Sequence, residues 1–158
     1  MLEVRIDHSD LGRLVEKLER SPQVLQKAKR QAMEAAALKL LSAVRTEIGG
    51  NGKVQRWQDA HVGSKGGYAA VRPKAKIYIE TKGKQSGFRA GQKKYAVGYV
   101  TDAVNSGHRT PRNKLGYRTS AGVIAGKEFY QRAQAQAETV ARDAAQQITQ
   151  TLTDHLGG

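Results

Sequence analysis

The chain has 158 residues, of which 39% are hydrophobic and only 6% aromatic, and it carries a formal net charge of +13. This length favours a single domain over residues 1–158, and the lack of cysteine excludes disulfides, thiolate metal sites and cysteine catalysis, as suits a reducing cytoplasm. No stretch reaches the roughly 18 apolar residues of a membrane span, and the first residues lack the apolar segment of a signal peptide, so we expect no membrane contact and synthesis in the cytoplasm.

The first half of the chain is predicted to be mainly helical. Alternating apolar residues predict a strand over residues 2–6, and the following apolar spacing predicts a short helix that ends before Ser21. Ser21 and Pro22 are a typical cap and first helical residue, so a long helix is predicted over residues 22–48. The glycines at Gly49–Gly52 then terminate this helix.

The middle of the chain predicts a β-meander over residues 68–101. Its three strands are the β-rich runs at residues 68–72, 76–81 and 95–101. Pro73 and Lys74 are expected to turn the first strand into the second. A glycine- and lysine-rich loop over residues 82–94 joins the second strand to the third, and a second basic loop covers residues 105–118.

The last segment predicts a helix over residues 126–156, with one apolar stripe along it. The predicted fold class is therefore α+β: long N-terminal and C-terminal helices packed on a small antiparallel β-sheet that carries long basic loops. Alanines dominate both helices, so each buried residue contributes little area and a partner subunit would add stability. The stripe comprises Phe129, Ala133, Ala137, Val140, Ala144, Ile148 and Leu152.

The positive charge is concentrated in the middle of the chain. Residues 50–118 carry a net charge of +12, whereas residues 1–49 carry +2 and residues 119–158 carry −1. Such a field favours a polyanion or an acidic protein surface as the partner.

Catalytic and metal sites find little support in the sequence. Ser106 and His108 lie two residues apart with Asp102 nearby, but no oxyanion hole or G-x-S-x-G context marks a nucleophile. The four histidines are scattered without metal-ligand spacing, and the clusters Gly63–Gly67 and Gly83–Gly87 do not match the P-loop pattern. We therefore expect no enzyme, no metal and no cofactor.

Nucleic-acid binding is the alternative that the charge supports. The two loops interleave basic and aromatic residues, a composition that neutralises phosphates, although no helix-turn-helix, zinc finger or RNP-like motif is present. The same loops could instead contact a protein surface during assembly. The residues expected to contact a partner are Lys82, Lys84, Phe88, Arg89, Lys93, Lys94, Asn105, Gly107, His108, Arg109, Arg112, Lys114, Tyr117 and Arg118.

Two motifs carry a family resemblance. They are Y-A-V-G-Y-V-T-D-A-V-N-S-G-H-R at Tyr95–Arg109 and V-I-A-G-K-E-F-Y-Q-R-A at Val123–Ala133. With the order of elements, they resemble the phage tail-completion and head–tail joining family of lambda-like siphophages and prophages. One departure is that Lys127 and Glu128 precede Phe129, where family members often have Pro-Phe.

The resemblance implies a structural virion protein of the neck or the head-proximal tail end. Such proteins assemble in the host cytoplasm into a ring, commonly of six subunits, which completes the tail and docks to the head connector. The implied partners are further copies of the chain, the connector and the tail tube. The basic segment would face either packaged DNA in the lumen or acidic surfaces of these proteins. On this hypothesis, the stretch Ala103–Arg112 is an assembly loop.

Overall fold

The structure, a computed structural model, describes residues 9–50, 52–80, 94–109 and 122–157. The predicted strand over residues 2–6 lies outside this range. The first element is helix α1 (Ser9–Ile48), which contains Pro22. The predicted interruption at Ser21 is therefore wrong, whereas the stop at Gly49 is confirmed, since Gly49 and Gly50 adopt left-handed φ values of 70° and 63°.

Pro22 lies inside α1, close to a point where the C-terminal end of the chain contacts the helix. Proline has no N–H, so the carbonyl four residues before it has no helical donor. One residue earlier, the carbonyl of Lys17 accepts from Ser21 Oγ at 2.8 Å and contacts His155 Nε2 at 3.0 Å. The contact with His155 attaches the C-terminal end of the chain to α1.

The segment after α1 forms a helical turn and a hairpin. Helix α2 (Lys53–Arg56) leads into strand β1 (Gln58–Val62), which pairs antiparallel with β2 (Ala69–Pro73). β1 was not predicted, because Q-D-A-H-V lacks the apolar alternation of a strand. Its presence changes the topology, since β2 pairs with β1 rather than with the strand that follows Pro73.

The predicted meander is replaced by separate hairpins. Strand β3 (Tyr78–Glu80) pairs antiparallel with β4 (Lys94–Ala96), so residues 81–93 join two paired strands, as predicted. The predicted strand over residues 95–101 is wrong beyond Ala96, because helix α3 (Val97–Ser106) begins there. Strand β5 (Gly107–Arg109) then pairs antiparallel with β6 (Val123–Ala125). β5 lies in the segment predicted as a loop over residues 105–118, so that prediction is wrong for residues 107–109.

The C-terminal segment forms two helices instead of one. They are α4 (Phe129–Gln134) and α5 (Ala137–Gly157), separated by a turn in which Gln136 N–H donates to Ala133 O at 3.0 Å. Helix α4 starts only after Glu128, whose φ of 49° is left-handed. Proline cannot adopt this φ, so the departure from Pro-Phe coincides with a turn that excludes proline.

The α4–α5 arm runs antiparallel to α1. Three contacts show the direction: Glu47 with Arg132 at 2.6 Å, Lys39 with Asp143 at 2.7 Å, and Lys17 with His155. Residue numbers along α1 therefore decrease as those along α4 and α5 increase. The α+β fold class is confirmed, but within the described residues the strands form three two-stranded sheets instead of one.

The core lies on the C-terminal half of α1 and is built mostly from small residues. One cluster gathers Ala43, Val44, Ile48, Phe129 and Ala133, and a second gathers Ala32, Ala36, Val140 and Ala144. Phe129 is the largest fully buried side chain of the described residues. Most of the predicted C-terminal stripe faces this core, with Phe129, Ala133, Val140 and Ala144 buried.

Candidate assembly surface

The structure describes four of the predicted contact residues in full. Asn105 lies at the end of α3, and Gly107, His108 and Arg109 form β5. Lys94 enters β4 through its backbone, and its side chain lies outside the described part. The remaining predicted residues also lie outside it, namely Lys82, Lys84, Phe88, Arg89, Lys93, Arg112, Lys114, Tyr117 and Arg118.

Asn105 is buried in this subunit and holds the start of α4. Its side-chain Oδ1 accepts the Tyr130 N–H at 3.1 Å, and its backbone carbonyl accepts the Glu128 N–H at 2.9 Å. The residue is only 5% exposed. Asn105 therefore satisfies N–H groups at a helix N-terminus from a distant position in the chain, rather than offering its side chain to a partner.

Gly107 lies at a close crossing of two backbones. It has a φ of 82° and a ψ of 170°, and a Cβ at this position would lie 2.5 Å from the Ile124 carbonyl oxygen. On the other side of the crossing, a Cβ on Gly126 would lie 2.3 Å from the Asn105 carbonyl oxygen. Glycine is required at both positions, so the base of the β5–β6 hairpin is fixed tightly to the start of α4.

Ser106 and His108 each make a local contact. Ser106 Oγ donates to Asp102 Oδ1 at 3.2 Å, one helical turn back. His108 Nδ1 lies 3.3 Å from the Ala103 carbonyl oxygen, an acceptor, so Nδ1 carries the proton in this contact. Thus Asp102 contacts the serine rather than orienting the histidine, which differs from the order that a serine triad needs.

The β5–β6 hairpin exposes apolar side chains on both of its faces. His108 is paired with Ile124, and Arg109 with Val123, so the two apolar residues point to opposite faces. Val123 is 60% exposed and Ile124 is 44% exposed. An isolated two-stranded hairpin is marginally stable in water, and exposed strand edges recruit further strands. We call the exposed strands β5 and β6 the assembly hairpin.

Exposed aromatic residues lie on strand β3 and in the first turn of α3. Tyr78 is 59% exposed, and Tyr99 is 66% exposed and stacks on Tyr95 with ring centroids 5.9 Å apart. Strands β3, β4, β5 and β6 thus form two hairpins that carry large exposed side chains. β3 lies within the strand predicted over residues 76–81, whereas β5 and β6 were not predicted, because each pairs over only three residues.

A buried polar network connects the elements beneath these hairpins. Gln58 is fully buried, and its Nε2 donates to the Val54 carbonyl at 3.0 Å and lies 3.5 Å from Thr101 Oγ1. Tyr130 donates its hydroxyl hydrogen to Gln58 Oε1. Burial raises the pKa of Tyr130 to about 12. The network thus links α2, β1, α3 and α4 around a tyrosine that is held neutral.

The Tyr130→Phe variant tests this network through the pH dependence of stability. The unfolded chain loses the tyrosine proton near pH 10 and the folded chain near pH 12, so folding stability falls as pH rises between these values. Below pH 10 we expect Tyr130→Phe to lower the free energy of unfolding by about 1–2 kcal/mol, because Gln58 loses a donor.

Urea unfolding at pH 8 and pH 11 measures this effect. The difference in unfolding free energy between the original chain and Tyr130→Phe should be smaller at pH 11 than at pH 8. Tyr99→Phe, at an exposed tyrosine, is the control, and an unchanged difference would contradict the role of Tyr130.

The comparisons with known proteins add no relative. Neither a family model, nor a curated protein, nor a solved structure matches the chain. Within the described ranges, no three histidine, aspartate or glutamate side chains converge as a metal ion requires. Among the same residues, no helix combines the length and apolarity needed to span a bilayer.

Proposed function

We propose that this protein is a structural component of a phage neck or of the head-proximal end of the tail. It forms a ring, of six subunits in the proposal, that completes the tail and joins it to the head connector. The ring assembles in the host cytoplasm and remains in the virion. The motif resemblance of Tyr95–Arg109 and Val123–Ala133 supports this class of protein.

The assembly hairpin is the observation that carries the proposal. A hairpin used only within the subunit would cover one face with the core, yet Val123 and Ile124 lie exposed on opposite faces. A neighbour that adds a strand or clasps the hairpin would cover both. Because such a contact joins different surfaces of two copies, its repetition around an axis closes a ring without leaving a free edge.

The small-residue core supports the same conclusion. Ten of the thirteen buried hydrophobic residues are not larger than valine, and several large apolar residues remain exposed along α1 and at the end of α5. These include Val15, Leu18 and Leu25, which are 48%, 52% and 41% exposed, and Leu156, at 40%. Assembly would bury additional apolar surface that a single subunit leaves in water.

Charged substitutions in the assembly hairpin test the proposal. Val123→Glu with Ile124→Glu should leave the subunit folded, since both residues are exposed, but should convert the oligomer to monomer because the interface would bury two unpaired charges. The control is Leu38→Glu, at a position on α1 that is 62% exposed. Light scattering after gel filtration gives the masses. An oligomer that persists in the double variant would contradict the proposed interface.

The alternative function is that of a basic DNA-binding accessory protein, which the net charge of +12 over residues 50–118 favours. It requires tight binding to duplex DNA with a steep salt dependence. Absence of duplex binding at low salt would remove this alternative and leave the ring proposal unaffected.

A further inference from the structure

A cavity of about 500 Å³ opens between α1 and the turn that joins β1 to β2. Arg30 and Glu34 line it from α1, and His61, Lys65 and Tyr68 line it from β1 and the turn. Volumes of roughly 300–1,000 Å³ are typical of ligand sites, so this cavity has room for a nucleotide-sized group. It lies apart from the assembly hairpin and from the polar network around Tyr130.

The turn that forms one wall of the cavity is fixed against α1. The Gly63 N–H donates to the Tyr68 carbonyl at 2.9 Å, which closes the turn. Gly66 has a φ of 68°, and a Cβ there would lie 3.1 Å from Arg30 Cα. The turn backbone thus packs directly on the α1 backbone, which holds Lys65 and Arg30 at the same cavity.

The cavity carries excess positive charge with unused donors. Arg30 Nε donates to Glu34 Oε1 at 3.0 Å, which uses one of the five guanidinium N–H donors on a side chain that is 73% exposed. Within the described residues, Lys65 makes no ion pair. Arg72 Nη2 lies 3.0 Å from His61 Nδ1. Since a guanidinium only donates, Nδ1 accepts, and a neutral His61 carries its proton on Nε2.

An aromatic surface completes the cavity. The Tyr68 ring is 54% exposed, and its centroid lies 5.7 Å from that of His61 with the planes tilted by 52°. A phosphate would contact only the hydroxyl of Tyr68 and would leave the exposed part of its ring in water. Proteins that bind single-stranded nucleic acid combine cationic contacts to the backbone with aromatic rings on which bases stack.

We propose that this cavity binds a segment of single-stranded nucleic acid. Arg30 and Lys65 contact a phosphate, His61 donates from Nε2, and the adjoining base stacks on Tyr68. All these residues belong to one subunit, so the site exists whether or not the chain forms a ring. It also differs from the two basic loops that the sequence marked as phosphate contacts.

The charge of Lys65 provides the first test, with Lys76 as a matched control. Both lysines have left-handed φ values, 56° and 60°, which asparagine tolerates, so each Lys→Asn change removes one charge without backbone strain.

Fluorescence anisotropy at low salt measures binding of a labelled oligothymidylate of about 12 nucleotides. We expect Lys65→Asn to weaken binding about 3- to 10-fold and to reduce the slope of log affinity against log salt by about 0.7. Lys76→Asn should change affinity less than about twofold, and equal effects of the two variants would overturn the site.

Glu34 and Tyr68 provide tests with different signs. Glu34→Gln removes the carboxylate that competes for Arg30, so binding should tighten about 2- to 5-fold. Glu138→Gln, at an exposed partner of Arg142 with the same helical spacing, should leave the affinity unchanged. Tyr68→Ala should weaken oligothymidylate binding about tenfold while the folded-state circular dichroism stays the same.

Competition distinguishes the class of ligand. Unlabelled oligothymidylate should displace the probe at concentrations at which inorganic phosphate and a duplex of equal length do not. A duplex that competes better than the single strand, or a Glu34→Gln variant that binds more weakly, would overturn the proposal.

Discussion

Replacing Phe129 with alanine is expected to destabilise the protein more than any other single change considered, by about 3–5 kcal/mol. Phe129 is fully buried, and it packs among Ala43, Val44, Ile48 and Ala133, most of which are small. Its ring also contacts that of Tyr130, with centroids 4.7 Å apart. Small neighbours on a helix backbone cannot move into the space that the ring leaves, so a cavity would remain.

Urea unfolding followed by circular dichroism measures this effect. Small domains are stable by about 5–15 kcal/mol, so the loss is a large part of the total and the midpoint should fall steeply. Leu38→Ala is the control, because its side chain is 62% exposed and should cost no more than about 0.5 kcal/mol. A Phe129→Ala loss as small as that of Leu38→Ala would show that the core is not organised around this residue.

Replacing Gly107 with alanine is expected to cost about 2–4 kcal/mol and to disrupt the assembly hairpin. The φ of 82° disfavours any side chain, and the new Cβ would lie 2.5 Å from the Ile124 carbonyl oxygen and 2.7 Å from the Gly126 nitrogen. These neighbours are backbone atoms, so relief requires β5 and β6 to move apart. The change therefore acts on stability and on assembly together.

Gly98→Ala is the matched control for Gly107→Ala. Gly98 lies inside α3, and a Cβ there would meet no atom within 4 Å. Alanine should stabilise that helix by roughly 0.5–1 kcal/mol. Amide hydrogen exchange at His108 and Ile124 should accelerate in Gly107→Ala and remain slow in Gly98→Ala. Unchanged exchange at both residues in Gly107→Ala would contradict the close crossing.

The two long helices, α1 and α5, could be predicted well because their signals are local and long. Alanines and leucines at helical spacing predicted α1 and the C-terminal arm, and Gly49 marked the end of α1 correctly. Pro22 led to the wrong start of the long helix, because proline is common at the first helical position. Here Pro22 lies inside α1, where Ser21 and His155 both contact the Lys17 carbonyl. The contact from His155 spans 138 positions, which no local pattern reveals.

β2 and β3 lie where strands were predicted, at residues 68–72 and 76–81, but the strand pairings depend on long-range contacts and were not predicted. Residues 97–101 are rich in β-formers, yet Val97, Thr101 and Asn105 are buried at a spacing of four, a helical signal that outweighed propensity. The burial of Gln58, the first residue of β1, was not foreseen, because its partners Thr101 and Tyr130 lie 43 and 72 positions away. Asn105 likewise appeared to be a loop contact, and only the structure places it against α4.

The mass of the purified chain and its location in the particle test the ring proposal most directly. Native mass spectrometry of the 17.2 kDa chain, together with electron microscopy of purified tails labelled on it, gives both quantities. The proposal predicts a closed oligomer, six subunits in the particle, located at the head-proximal end of the tail. A chain that remains a monomer at every concentration and never joins a purified tail would contradict it.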